Sequence, residues 1–536
     1  MGQIIVRNSC IIITDYEKGS NHDLEKNFQV WNPTYYRLED FGMYYDEEER
    51  KLYIPRGLDI WKIKKYMRGY DTINENYNPY KSIDIKLKTS PRDDVQVQAL
   101  QFMCGIGDYE DNYRLPQLSV NLPTGKGKTY CSVATVGYFK TKSIIITASS
   151  SLLDQWRADI IEYTNLNDND IFLINGSNVM NMIYTNKSMK TKESKIFLIT
   201  HKTIQSYCTQ YGWNRLNQIF LNLGIGIKII DEAHQNFNNM LMLDFFTNVY
   251  KTYYVTATPQ RSDWRENRIY QLSLKNVPSI DLFDIELDPH TDYLAIKYNS
   301  KPNPVQVSEC KNMYGLDRMK YVDYITKQPN FYKALMIIMD IILKMKGRAL
   351  IYIGTNEGIL RVYKWLGENY PELLGDIGIF TSLMNKEDKA KEREKKIILS
   401  TTKSCGAGED IKGLKVSVVL AEPFKSEVLA RQTLGRTRDS ETLYIELVDM
   451  GFNQIKNFYY SKLSVFNKYA SSTEDTMIDQ YELDKRSERL EEKREKKKSM
   501  SPFTFHDERF FTYPVEKKPI QPFTFDPNWR KDNESS

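Results

Sequence analysis

The segment whose residue types most directly imply chemistry is LPTGKGKT, Leu122 to Thr129. It follows the strand-like LSV and precedes a stretch that reads as helix, which is the context a phosphate-wrapping loop needs. Gly125 and Gly127 let backbone N–H groups approach an anion, and the helix N-terminus favours negative charge there. Lys128 is placed to contact the β- and γ-phosphates of ATP, and Thr129 to hold Mg²⁺. Thr124, Gly125, Lys126, Gly127, Lys128 and Thr129 are therefore the candidate ATP-binding residues of the loop. Leu122 stands where the general pattern begins with glycine. About a hundred residues downstream, DEAH, Asp231 to His234, closes the apolar run IGIKII. Asp231 is the second candidate for Mg²⁺, directly or through water, and Glu232 is placed to orient and deprotonate the attacking water. Acids also favour helix starts, but a solvated helix start explains neither the buried aliphatics before it nor the upstream loop.

The elements that must position these groups alternate along the chain. SIIITA, KIFLIT, IGIKIID and YYVTAT (143–148, 195–200, 225–231, 253–258) read as buried parallel strands between helical stretches. The alternation resumes with RALIYIG, IGIF, KIILST and VSVVLA (348–354, 377–380, 396–401, 416–421). Strand–helix alternation of this kind implies α/β sheets. The expected organisation is a small N-terminal accessory domain over 1–85, a first α/β domain over 86–262, a connecting region over 263–325, a second α/β domain over 326–470, and a charged helix and tail over 471–536. Within the first of these, KLYIP (51–55) reads as a strand and IWKIKKYMRGY (60–70) as a basic amphipathic helix.

The chain has 536 residues, and 41% of them are hydrophobic, enough for several cores. Its net charge is only +4, so any nucleic-acid surface must be a local patch. The six cysteines are scattered without CxxC pairs, which argues against zinc and a disulfide framework and for reduced buried thiols. The N-terminus lacks a signal-peptide run, Val6 breaks the myristoylation pattern, and no stretch of 18 apolar residues occurs. The expected setting is cytoplasmic, in a host cytoplasm if the source is viral, with no membrane partner.

Taken in order, the motifs resemble those of superfamily 2 helicases and translocases, over about residues 88 to 460. PRDDVQVQALQFM (91–103) resembles the adenine-reading segment, with Gln96 as the reader and Val95 in place of its usual aromatic neighbour. SSSLLDQW (149–156) and ITHKTI (199–204) resemble segments that touch the nucleic-acid backbone. Trp156 also reads as core filling, and His201 as a buried histidine. TATPQR (256–261) is similar to the motif that couples hydrolysis to movement. TTKSCGAGEDI (401–411), with Gly408 and Asp410 toward the nucleotide, and QTLGRTRD (432–439) resemble the fifth and sixth motifs. The resemblance implies two RecA-like domains in tandem with ATP between them. It makes Arg436 an arginine finger and sets Gln432 at the same phosphate, which suits the positive charge phosphoryl transfer needs. Arg438 lies one residue before Asp439, where the family pattern has a second arginine.

The DEAH, TATPxR and QxxGR forms resemble the branch acting on double-stranded DNA, which includes phage branch-migration helicases and nucleotide-excision-repair helicases. The function implied is ATP-driven remodelling of duplex or branched DNA in replication, recombination or repair. An RNA helicase or transcription-associated motor stays open, as does the translocase subunit of a restriction or defence complex. In the N-terminal region Arg56, Lys62, Lys64, Lys65 and Arg68 interleave with Trp61, Tyr66 and Tyr70, a pattern that suits phosphate and base contact or a solvated helix face over an aromatic core. After the charge run 485–498, PFTF occurs at 502–505 and 522–525. So aromatic a tail is expected to dock, either on the second α/β domain or on a replication or recombination partner.

Overall fold

The computed structural model describes residues 2–32, 36–75, 82–122, 126–187, 190–234, 236–256, 264–282, 291–313, 315–381, 384, 386–405, 411–434 and 442–479. The charge run and both PFTF units lie outside the described residues, as does all of TATPQR after Thr256. The chain divides into two compact units, the first ending at Glu286 and the second beginning at Leu287.

In the first unit, β1 (Gln3–Arg7) and β2 (Cys10–Ile13) open a five-stranded sheet. β3 (Gln29–Asn32) and β4 (Arg37–Asp40) form a separate hairpin. β5 (Tyr44–Asp46), β6 (Lys51–Pro55) and β7 (Asp71–Glu75) complete the sheet in the order β5-β6-β2-β1-β7. The basic segment after β6 is helical over Ile60–Tyr66, capped by the Asp59 side chain.

A seven-stranded sheet follows in the same unit. Its strands are β8 (Gln117–Asn121), β9 (Ser143–Thr147), β10 (Ile171–Leu173), β11 (Ile196–Thr200), β12 (Ile227–Asp231), β13 (Lys251–Thr256) and β14 (Ser279–Asp281). They are parallel throughout, in the order β10-β11-β9-β12-β13-β8-β14. Every residue of β8, β9, β11, β12 and β13 is buried, because both faces of a parallel sheet must be covered.

The two faces separate with the period of two that a strand imposes. Ile145, Ile229 and Tyr253 point to one core, with Leu118, Val120 and Trp156. Ile144, Ile146, Ile230 and Tyr254 point to the other, and that core also contains Ile4, Ile11, Ile13, Phe28, Leu52 and Ile54 of the N-terminal segment. The N-terminal sheet is thus part of the covering layer of the parallel sheet rather than a detached module. Tyr53 stacks on Phe246 at 5.2 Å, the Cys10 thiol faces the carbonyl of Phe245, and the Asn8 amide donates to Val249 O at 3.1 Å.

A buried ion pair lies beside this joint. The Lys228 ammonium on β12 and the Asp244 carboxylate are 0% and 1% exposed. Lys228 also donates to Thr247 Oγ1 at 2.9 Å, and the Tyr254 hydroxyl donates to Asp244 Oδ2 at 2.7 Å. The Ser9 hydroxyl of the N-terminal segment donates to the carbonyl of Thr247.

The second unit repeats the parallel plan. It begins at β15 (Thr291–Tyr298), inside the segment expected to be a connector. A small hairpin, β16 (Lys311–Asn312) and β17 (Gly315–Leu316), precedes the main strands. These are β18 (Arg348–Ile353), β19 (Ile377–Phe380), β20 (Ile397–Ser400), β21 (Leu414–Ala421), β22 (Thr442–Asp449) and β23 (Thr473–Met477). The order is β19-β20-β18-β21-β22-β15-β23. TDYLAIKY carries charged and polar residues among its apolar ones, which hides it from a search for continuous aliphatic runs, yet it pairs along its whole length with β22. The chain therefore has two RecA-like parallel-sheet α/β domains in tandem with a small N-terminal sheet. The six cysteines are free and buried. No helix among the described residues is long and apolar enough to cross a membrane.

Two stability outcomes follow. Asp244→Ala strands a buried ammonium and should cost about 3–5 kcal/mol in urea denaturation; a loss under about 1 kcal/mol would show that water reaches Lys228. A chain beginning at residue 86 uncovers one face of the parallel sheet, so it should melt well below the full chain or fail to stay in solution.

Candidate functional site

The parallel register brings three strand ends into one row. Asp231 at the end of β12 lies beside Val255 of β13, and Thr256 lies beside Asn121 of β8. Leu122 N then donates to Thr256 O at 2.9 Å, so the chain enters the phosphate loop held against β13. This carboxyl edge is where open α/β sheets place ligands.

Pro123, Thr124 and Gly125 lie outside the described residues. The rest of the loop is in place. Gly127 has φ +84°, a left-handed conformation that L side chains rarely adopt, and a Cβ there would meet Gln96 Nε2 at 2.1 Å. It begins the helix Lys128–Phe139 without a side-chain cap, which leaves the first-turn N–H groups open to an anion. Gln96 is 3% exposed. Its amide donates to Lys126 O at 3.2 Å and accepts from Arg92 N at 3.0 Å, so the expected adenine reader is also a brace of the loop. Val95 is buried in the core.

Lys128 Nζ donates to Glu232 Oε1 at 2.6 Å. Glu232 has φ +52°, a conformation costing of order 1–3 kcal/mol outside glycine, at the turn that ends β12. His234 Nδ1 meets Thr256 Oγ1 at 2.7 Å and lies 3.4 Å from Glu232 Oε2. These contacts tie the acid pair to the TAT segment through side chains. Asp231 is held from the other side. The Trp156 indole N–H, on the helix Ser150–Tyr163 after β9, donates to Asp231 Oδ2 at 3.1 Å. Trp156 thus joins the core, as one of its sequence readings had it, and also contacts the acidic pair. Its sequence signal was the likeness of SSSLLDQW to a segment that touches nucleic acid, which does not foretell the bond to Asp231.

Thr129 and Asp231 offer a hydroxyl and a carboxylate, oxygen ligands that suit Mg²⁺ completed by phosphate and water. No group of three His, Cys, Asp or Glu side chains able to hold a metal occurs among the described residues. Burial and the adjacent Glu232 push the Asp231 carboxyl up to about 6, against Lys128 and the Trp156 N–H, which pull it down. A buried carboxylate in this state is stabilised by a cation. His201 is buried, and burial pushes its imidazole down to about 4, so it stays neutral.

In the second unit, Gly408, Asp410, Arg436 and Arg438 lie outside the described residues. Gln432 falls in the helix Glu427–Leu434. That helix is tied to the sheet by Thr433 Oγ1 and the Tyr444 hydroxyl, 2.9 Å apart and buried. At the start of the fifth-motif segment, Thr402 N donates to the buried Glu422 carboxylate at 2.8 Å.

Fold and site together define the class: a nucleotide-binding α/β domain carrying a phosphate loop and an acidic pair, followed by a second parallel-sheet domain. Residues 91–261 match the family model described as type III restriction enzyme, res subunit. The transcript termination protein A18 of Yaba-like disease virus is 25% identical over 336 residues, covering 60% of this chain and 64% of that protein. The XPB helicase/translocase subunit of general transcription and DNA repair factor IIH from Schizosaccharomyces pombe is 24% identical over 169 residues, 31% of this chain and 19% of that protein. Among solved structures, T4 UvsW is similar over 89% of this chain and 99% of its own, with 14% identity and a TM-score of 0.34. S. cerevisiae Dbp5 bound to RNA and ADP BeF3 is similar over 74% and 92%, with 15% identity and a TM-score of 0.48.

Trp156→Phe keeps the aromatic bulk and deletes the donor to Asp231. The folded carboxyl already sits above its ordinary 3.8, so without a bound cation the folded chain holds a proton the unfolded chain has lost, and stability falls as pH rises from about 4 through about 6. Cation binding needs the ionised form, so hydrolysis should fall as pH drops through that window. Losing the N–H should move this acid limb upward by about one pH unit. An unmoved limb with only a lowered melting temperature would make Trp156 core filling alone.

Proposed function

We propose that this chain is an ATP-dependent motor on nucleic acid, a helicase or translocase that remodels duplex or branched DNA. The observation that carries the reading is the convergence of Lys128, Asp231 and Glu232 at the ends of β8 and β12, with Thr256 at the end of β13 between them. Lys128 binds the β- and γ-phosphates, and Thr129 and Asp231 hold Mg²⁺, which neutralises phosphate charge when bound. Glu232 orients the water and accepts its proton. Lys128 pairs with Glu232, and phosphates at the loop compete for the ammonium and release the carboxylate to the water. Gln96 recognises adenine, and Gly408 and Asp410 belong to the nucleotide site. Gln432 and Arg436 serve turnover stimulated by nucleic acid, with Arg438 as a candidate for the place Asp439 leaves empty. The setting assigned is cytoplasmic.

Replication, recombination or repair is the favoured context, from the likeness of the DEAH, TATPxR and QxxGR forms to motors on double-stranded DNA. A second reading, a transcription-associated motor, draws on the curated relatives, which include transcript termination proteins of three poxviruses and two transcription-factor subunits. The tail beyond residue 480 is proposed to dock on the second α/β domain or on a replication or recombination partner.

ATPase rates across single-stranded, duplex, forked and four-way DNA and RNA test the proposal. Duplex or branched DNA should stimulate most; stimulation by RNA alone would overturn the DNA assignment. Lys128→Ala should abolish hydrolysis, and Glu232→Gln should retain ATP binding while hydrolysis falls by about two to four powers of ten. Arg436→Ala should leave ATP affinity near wild type and remove the stimulated part. Normal hydrolysis by Glu232→Gln would refute its role as base.

A further inference from the structure

The basic helix Ile60–Tyr66 lies beside a cavity of about 120 Å³ that the motor site does not use. Its lining comes from three parts of the first unit: the segment around Phe28, the helix itself with the turn before it, and the end of the helix Trp264–Ser273 with Lys275 just beyond. Leu24, Phe28, Ile63 and Leu272 make it apolar, and Lys62, Tyr66 and Lys275 give it polar groups. Asp59, the carboxylate on the lining, is engaged in capping Trp61 N at 2.9 Å.

Three further observations point to a ligand. Lys62 and Lys275 are exposed, and neither has an ion pair among the described residues; the same holds for Lys65 and Arg68 nearby. Trp61 is 75% exposed, far more than a large apolar ring needs to be on a helix whose other face is core. Lys64 Nζ lies 5.2 Å from the centre of the Trp61 ring, which orients the indole and adds positive charge beside it.

We propose that this surface is a second nucleic-acid site, which takes a single-stranded segment with phosphates at Lys62 and Lys275, a base over the apolar cavity, and a neighbouring base stacked on Trp61. Uncompensated cations next to an exposed indole supply the two terms that hold single strands, phosphate attraction and sequence-tolerant stacking. A protein partner would call for a broader apolar patch than one ring and one small cavity. The cavity floor belongs to the core that covers the parallel sheet, since Leu24, Phe28 and Ile63 are buried there. The strand would therefore be gripped by the same rigid unit that carries the phosphate loop. A fork or displaced strand supplies such a segment, so the inference rests on the nucleic-acid reading above and adds to it a place for the strand.

The test uses the full chain and fluorescence anisotropy with labelled oligodeoxythymidylate and oligouridylate over a range of salt. Lys62→Glu with Lys275→Glu should weaken binding at least tenfold and flatten the dependence of log affinity on log salt by about 0.7 per lysine. Trp61→Ala should weaken binding about tenfold with the salt slope retained. Unchanged melting temperatures show that the variants are folded. Wild-type affinity and slope in all variants would overturn the site while leaving the motor reading intact. Failure of the wild-type chain to bind any nucleic acid, or to be stimulated by it, would overturn both. Binding of polyglutamate that depends on Trp61, with oligonucleotide binding unaffected by the substitutions, would overturn the proposal in favour of an acidic protein.

Discussion

Two carboxylates stand side by side in the dry end of a parallel sheet, and much of the first unit can be understood as what it takes to keep them there. Asp231 and Glu232 are 7% and 6% exposed. Their mutual repulsion and lost hydration are costly unless opposite charge and donors are aimed at them. Lys128 supplies the charge from the start of one helix, and Trp156 supplies an N–H from another. Each arrives from a different strand of the sheet, so the acidic pair is stable only when β8, β9 and β12 are in register. Local chemistry and global topology are therefore the same constraint here.

That constraint reaches outward to the N-terminal sheet. A parallel sheet whose central strands are buried along their whole length must be covered on both faces. On one face part of the cover comes from residues before position 70, which share a core with Ile144, Ile146 and Ile230. Lys228, whose ammonium is buried against Asp244, sits on the same strand as Asp231, three residues earlier. β12 thus carries a charged group pointing into each of two environments, and both are compensated by partners from distant sequence.

The left-handed turn at Glu232 shows how the site stores readiness. The strain at this position is held by the ion pair with Lys128 and by the backbone contact of Ala233 N with Val255 O at 3.1 Å. His234, bonded to Thr256, sits where a change at the acid pair meets the TAT segment. The Lys128–Glu232 pair, the 3.4 Å approach of His234 to Glu232 and the contact of His234 with Thr256 thus link four side chains in a row.

Much of this was legible in the residues. Glycines before a lysine and a hydroxyl, and adjacent acids after a run of aliphatics, read as a phosphate loop and a metal-and-water pair because few other roles require those types at those spacings, and the fold brings the lysine and the acids together. Continuous apolar runs likewise mark buried parallel strands, and most of them occur as strands within a residue or two. Other features depended on tertiary structure for a physical reason. TDYLAIKY is a strand because β22 and β23 flank it, and its own pattern is too polar to announce that. Trp156 could fill a core or serve a site, and only the register of β9 beside β12 brings its N–H to Asp231. Gln96 is a brace of the loop because the chain folds it against Gly127 and Lys126. The N-terminal segment reads as a small accessory domain, and composition cannot reveal that its sheet shares a core with the parallel sheet. Spacing along the chain determines which groups can do chemistry, whereas long-range packing decides which of them meet and which are buried, because burial and pairing are properties of neighbours that sequence distance does not encode.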